Sequence, residues 1–207
     1  MMNLPGHRIR NTALAAIAAA AIVGTGVASG VFAQSTSLDT AQTVTVAQTA
    51  GQSLTVSQTE GPYFKANSPE RTSLVDAGVQ GTLLTITGQV LAPDGTPVAN
   101  ALLDFWQADS AGSYDNSGYT LRGHQYTDEN GNYTLTTVVP GLYPGRTRHI
   151  HVKVQAPNGP VLTTQLYFPG EASNSRDGIF DPSLLLSTAD NGDGTQSATF
   201  NFVVNTA

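Results

Sequence analysis

The sequence predicts an all-β sandwich with long active-site loops, and three features carry that expectation. Charged residues are only 12% of the 207, about half the usual share, and Thr, Ser, Asn and Gln supply much of the polarity. β-Branched and aromatic residues recur in short runs bounded by Gly, Pro, Asn and Asp, at sandwich spacing. No stretch of the mature chain holds a helical period for more than about two turns.

Taken in order, residues 82–91 (TLLTITGQVL) read as a strand that ends in the turn Pro93-Asp94-Gly95-Thr96-Pro97, and 98–106 read as a second. Residues 123–127 and 133–139 flank Asp128-Glu129-Asn130-Gly131, where Asn-Gly is a strong hairpin signal. Residues 149–156 and 161–168 flank another turn, Pro157-Asn158-Gly159-Pro160. A short helix is expected over 182–188. Asp190-Asn191-Gly192-Asp193-Gly194 misses the acid spacing of a calcium loop and reads as a hairpin turn. The alternating run 199–204 (TFNFVV) supplies the last strand.

Ahead of this domain lies a different kind of sequence. His7, Arg8 and Arg10 precede an apolar, Ala/Gly-rich run that ends Val31-Phe32-Ala33-Gln34, the pattern of a secretory signal peptide over residues 1–33, with an uncleaved membrane anchor as the rival reading because the run is near spanning length. The expected product is exported, periplasmic or extracellular, with no membrane association after cleavage. Residues 34–58 form a flexible or extended Thr/Ser/Gln-rich lead-in, and 59–207 form the folded domain. Fifteen acidic residues against nine basic ones, a net charge of −6, argue against a nucleic-acid partner. The absence of cysteine excludes disulfides, zinc-thiolate sites, iron–sulfur clusters and cysteine nucleophiles.

The residues with the clearest chemical potential are His149-Ile150-His151. On a strand, alternation puts both imidazoles on one face with Cα atoms about 6.6 Å apart, and two such rings can meet one metal ion. A polar surface stripe continued by Lys153 is the simpler alternative. No acidic residue flanks the pair; the segment upstream is Leu142-Tyr143-Pro144-Gly145-Arg146-Thr147-Arg148. A tyrosine ligand favours a hard, strongly Lewis-acidic ion such as Fe(III), because the free phenol ionises only near pH 10.

Several ordered blocks resemble the intradiol ring-cleavage dioxygenases, the family of catechol, hydroxyquinol and protocatechuate dioxygenases. They are Glu60-Gly61-Pro62-Tyr63, the run from Ile86 through Asp104-Phe105-Trp106-Gln107 to Gly112-Ser113-Tyr114, Arg122-Gly123, Pro140-Gly141-Leu142-Tyr143, Arg146-Thr147-Arg148-His149-Ile150-His151, and Gln165-Leu166-Tyr167-Phe168. The resemblance implies a β-sandwich, a non-haem Fe(III) cofactor, and a catechol-type small molecule and O2 as reactants, with a muconate-type diacid as product. It implies Tyr114, Tyr143, His149 and His151 as metal ligands, Tyr143 and His151 being axial. Arg146 would lie over the substrate ring, Gln165 would line the pocket, and Tyr143 would also take part in catalysis. A transthyretin-like or carboxypeptidase-regulatory-like binding module is the rival reading. It shares runs such as 88–98 and 128–133 but has no need of Tyr143, Arg146, His149 and His151 together.

Other residues have plainer expectations. Tyr119, Tyr126, Tyr133 and Tyr167 are expected to pack in the sandwich, Trp106 to sit in the core, and His124 to be a solvated strand residue. Arg148 is expected to pair with a carboxylate, Tyr63 to line the pocket, and Arg148 or Lys65 to be available should the ring carry a carboxylate.

Overall fold

The structure is a computed structural model and describes residues 51–206. The signal peptide expected over 1–33, and residues 34–50 of the lead-in, lie outside the described residues.

Among the described residues nine strands follow one another: β1 (Leu83–Leu91), β2 (Leu102–Trp106), β3 (Arg122–Tyr126), β4 (Asn132–Val138), β5 (His149–Gln155), β6 (Val161–Tyr167), β7 (Ser187–Asp190), β8 (Gln196–Thr199) and β9 (Phe202–Val203). They form a five-stranded sheet, β4-β1-β8-β7 with β9 also paired to β1, and a four-stranded sheet, β3-β2-β5-β6. Leu84, Ile86 and Leu135 from the first pack with Leu103, Phe105, Ile150, Val152 and Leu166 from the second.

Alternation distinguishes the two sheets. Along β1, buried Leu84 and Ile86 alternate with exposed Leu83, Thr85 and Thr87, so one face meets water. Along β5, His149, Ile150, His151 and Val152 are all buried. Loops therefore cover the outer face of the four-stranded sheet, and the site lies beneath them.

The register fixes what that face presents. Arg122 pairs with Trp106, Trp106 with His151, and His151 with Gln165, so these four side chains form one row across the sheet. His149 and Tyr167 form the start of the row above, and His124, Asp104, Lys153 and Thr163 form the row below.

Several expectations change. The turn at Asp128-Glu129-Asn130-Gly131 does not close a hairpin: β3 pairs with β2 in one sheet and β4 with β1 in the other, so the chain crosses between sheets there. β2 starts at Leu102 rather than at 98, because Asn100 takes a left-handed turn (φ 54°). The C-terminal run splits into β8 and β9 where the Asn201 side chain accepts the Gln89 N–H and replaces a ladder bond. The helix expected over 182–188 is one 3-10 turn, Pro182–Leu184, capped by the Asp181 carboxylate, and Ser187 already belongs to β7. Trp106 is 1% exposed, yet it lies on the site face, outside the inter-sheet core. Tyr126 is 50% exposed rather than packed. Residues 52–58 run along the domain, with Thr55 N–H bonding to the Val203 carbonyl and Gln58 N–H to that of Thr163.

Candidate active site

The start of β5 supplies the two imidazoles. His149 and His151 are buried, and their Nε2 atoms lie 3.1 Å apart. His149 Nδ1 donates to the Thr147 carbonyl at 2.6 Å, which leaves the lone pair on Nε2 facing the site. Burial pushes the His149 imidazole down to about 4, and it also lowers His151, so both rings are neutral. Trp106 stacks on His151 with centroids 4.8 Å apart and planes 7° from parallel.

Loops bring three tyrosines over this pair. The Tyr114 hydroxyl is 3.4 Å from His149 Nε2. Its ring stacks on Tyr63 at 4.4 Å and 14° and meets Tyr143 edge-on at 5.9 Å. The Tyr143 hydroxyl shares a 2.8 Å hydrogen bond with that of Tyr63. That bond, more than burial, raises the Tyr63 phenol. The two loops bearing Tyr114 and Tyr143 touch at Gly112, where φ is +87° and a Cβ would lie 2.3 Å from the Leu142 carbonyl oxygen. Only glycine permits that approach.

Beside the pit, Arg146 is fixed from two sides. Its Nε donates to Asp177 at 2.8 Å and its Nη2 to Gln165 Oε1 at 2.7 Å. Gln165 in turn donates to the Thr59 carbonyl and accepts from the Tyr167 hydroxyl. Burial would raise Asp177, but the Thr147 and Ile179 N–H groups and Arg146 together hold it below the usual carboxylate range.

All six residues singled out from the sequence therefore stand in one place: Tyr114, Tyr143, His149 and His151 around the pit, Arg146 and Gln165 beside it. Arg148 bonds Glu171 and the Pro140 carbonyl, and Lys65 donates to the Gly118 carbonyl, so both cations considered for a ring carboxylate are already engaged. His124 is half-buried and meets Ser68, which also donates to Asp104. Sequence reading missed Asp177 and the Tyr167 hydroxyl. Tyr167 could have been suspected from its place two residues after Gln165 on the same face.

The donor set can be tested against a metal ion. Two nitrogens 3.1 Å apart can each lie about 2.1 Å from one ion. Among the described residues no three His, Asp or Glu side chains converge, so the further donors that an ion here would find are the phenols beside the pair. Burial pushes the Tyr114 phenol up to about 12, so its ionisation near neutral pH calls for a strong cation beside it. His151 Nδ1 and Trp106 Nε1 are buried without partners, which shows that polar satisfaction alone does not explain this pit.

Comparison with known proteins agrees with this arrangement. The family model described as "Dioxygenase" matches residues 59–206. The β chain of protocatechuate 3,4-dioxygenase from Burkholderia cepacia is 35% identical over 118 residues, 48% of this chain and 50% of that one. The 6-chlorohydroxyquinol 1,2-dioxygenase of Cupriavidus pinatubonensis is 28% identical over 70% of this chain and 62% of its own length. The chain thus spans about half to three-fifths of these curated relatives. Among solved structures, the dioxygenase domain of a dioxygenase–carbohydrate-binding fusion from Streptomyces sp. SirexAA-E is 55% identical, with a TM-score of 0.72 over 75% of this chain and all of that domain. The 3-chlorocatechol 1,2-dioxygenase of Rhodococcus opacus 1CP is 31% identical, with a TM-score of 0.67 over 74% of this chain and 73% of that one. With the strand order, the buried His pair and the tyrosines above it on the page, the chain belongs to the intradiol ring-cleavage dioxygenase family.

Proposed function

We propose that this protein is a ferric intradiol dioxygenase: it opens a catechol-type ring between the two hydroxyl-bearing carbons and places both atoms of O2 in a muconate-type diacid. The observation that carries this reading is the meeting of two neutral imidazoles and two phenols, Tyr114 and Tyr143, in one partly buried pit. The donor chemistry fits Fe(III), held by Tyr114, Tyr143, His149 and His151. Bound there, the ion would supply Lewis acidity that favours phenolate and catecholate over their protonated forms and prepares the ring for O2.

The chain's own residues do the rest. Thr147 aims His149, and the Trp106 ring fixes the plane of His151. Tyr63 holds a hydrogen bond at the Tyr143 oxygen, so a proton at that oxygen has a defined partner. Arg146, clamped by Asp177 and Gln165, presents a fixed cation to the negative charge that develops on the ring. A binding module of similar fold needs none of these groups together, which disfavours the rival reading.

Aerobic turnover of a small panel of catechols, with products identified by mass, tests the reaction. Muconate-type diacids carrying two added oxygen atoms are expected; semialdehydes from cleavage outside the diol, or no cleavage of any catechol, would reject it. The N-terminal pattern supports export in addition. N-terminal sequencing of protein from the envelope or medium should then begin at Gln34, and a chain retaining 1–33 would overturn that part.

A further inference from the structure

The buried cation at the start of β3 has no counter-ion in contact. Arg122 is 1% exposed, and desolvation lowers its pKa. Its side chain makes no ion pair among the described residues. Instead Nη1 donates to the Tyr63 carbonyl at 2.5 Å, while Nε and Nη2 donate to the Asp115 carbonyl at 3.2 and 3.0 Å. Those two carbonyls belong to different loops. One carries Tyr63 over the sheet, the other carries Tyr114, and the two rings stack just beyond the guanidinium. Burying a charge is costly, and an apolar side chain of similar volume often serves stability as well or better. The feature an apolar residue cannot reproduce is the planar fork spanning two acceptors.

We propose that Arg122 is a positioning residue, whose guanidinium fork sets the Tyr63 and Tyr114 loops in register so that the rings stack and the Tyr63 hydroxyl reaches Tyr143. The inference rests on the reading of Tyr114 and Tyr143 as iron ligands. Arg122 then acts on two ligands at once without touching substrate. Two further bridges join the same loops away from the rings: Lys65 Nζ to the Gly118 carbonyl and the Tyr119 hydroxyl to the Ala66 carbonyl. The loops therefore keep an attachment when the fork is lost, and their general tethering can be separated from its action.

The test uses the iron-loaded enzyme and four variants: Arg122→Lys, Tyr63→Phe, the two combined, and Tyr119→Phe. Two quantities are read, the visible phenolate-to-iron absorption and kcat/KM with catechol. Lysine keeps the charge but cannot span both carbonyls, so Arg122→Lys should shift the band and lower kcat/KM about ten-fold, in the range of a contact network. In the Tyr63→Phe background the same substitution should cost clearly less, because part of what Arg122 positions is already gone. Tyr119→Phe should leave the band in place. Should Arg122→Lys not fold, Arg122→Met takes its place under the same criteria. Equal fold-losses in both backgrounds, an unmoved band in the Arg122 variant, or an equal shift in Tyr119→Phe would each overturn the proposal. A colourless or inactive wild-type holoenzyme would instead defeat the functional reading beneath it.

Discussion

Replacing His149 or His151 with alanine is expected to give a folded protein that has lost its iron, its colour and its ring-cleaving activity. Both imidazoles come from the first three residues of β5, where His149 pairs with Tyr167 and His151 with both Trp106 and Gln165, so neither position can be filled by a neighbouring side chain. Each removal leaves one nitrogen and two phenols, and burial disfavours the ionised form of Tyr114. Loss of an outer-shell partner already costs about 10- to 100-fold in metal affinity, and loss of a direct ligand should exceed that. His151→Ala also opens a cavity beneath Trp106, so its melting temperature should fall further than that of an exposed substitution. Metal analysis after dialysis and far-UV circular dichroism check both parts. Variants that keep a full complement of iron would remove these residues from the ligand set.

Arg146→Ala is expected to keep iron and colour but lose most turnover. Removing a preorganised donor from a reacting site costs about 2–4 kcal/mol of transition-state stabilisation, or roughly 30- to 10³-fold in kcat/KM. The pair with Asp177 complicates the substitution, because the Asp177 side chain is only 3% exposed. Breaking such a pair leaves a buried charge, although the Thr147 and Ile179 N–H groups still bond that carboxylate. Some loss of thermal stability should therefore accompany the loss of rate. Measuring kcat/KM at a temperature where the variant is fully folded separates the two. Unchanged turnover there would strip Arg146 of its role and leave the metal site untouched.

How far the sequence reveals this molecule depends on the distance over which each feature is decided. The hairpin of β5 and β6 is set by the turn at Asn158-Gly159, so local residues suffice, whereas the equally clear Asn130-Gly131 turn joins two strands of different sheets, a choice made by distant partners. The parallel pairing of β1 with β8 and β9 joins segments more than a hundred residues apart, and no turn announces it. The break between β8 and β9 has the same origin: a Cβ at Gly88 would lie 1.7 Å from the Phe200 carbonyl oxygen, a contact no local pattern encodes.

The site shows a similar division. His149 and His151 are two apart on a strand, so alternation alone puts them on one face. Tyr63 and Tyr143 are eighty residues apart, and their hydrogen bond depends on how two loops fold over the sheet. Trp106 misleads for a physical reason. β2 is covered by the second sheet on one side and by loops on the other, so a large apolar side chain is buried whichever way it points. Asp177 lies in a loop without any motif, and only the arginine it holds makes it conspicuous.

Under the proposed function, Tyr114, Tyr143, His149 and His151 together hold one ferric ion. The most direct test is the metal content and visible spectrum of protein purified after expression with ample iron. About one iron per chain is expected, with a visible phenolate-to-Fe(III) charge-transfer band that moves when Tyr143 is replaced by phenylalanine. A colourless protein that carries zinc, or iron without a band that responds to Tyr143, would contradict it.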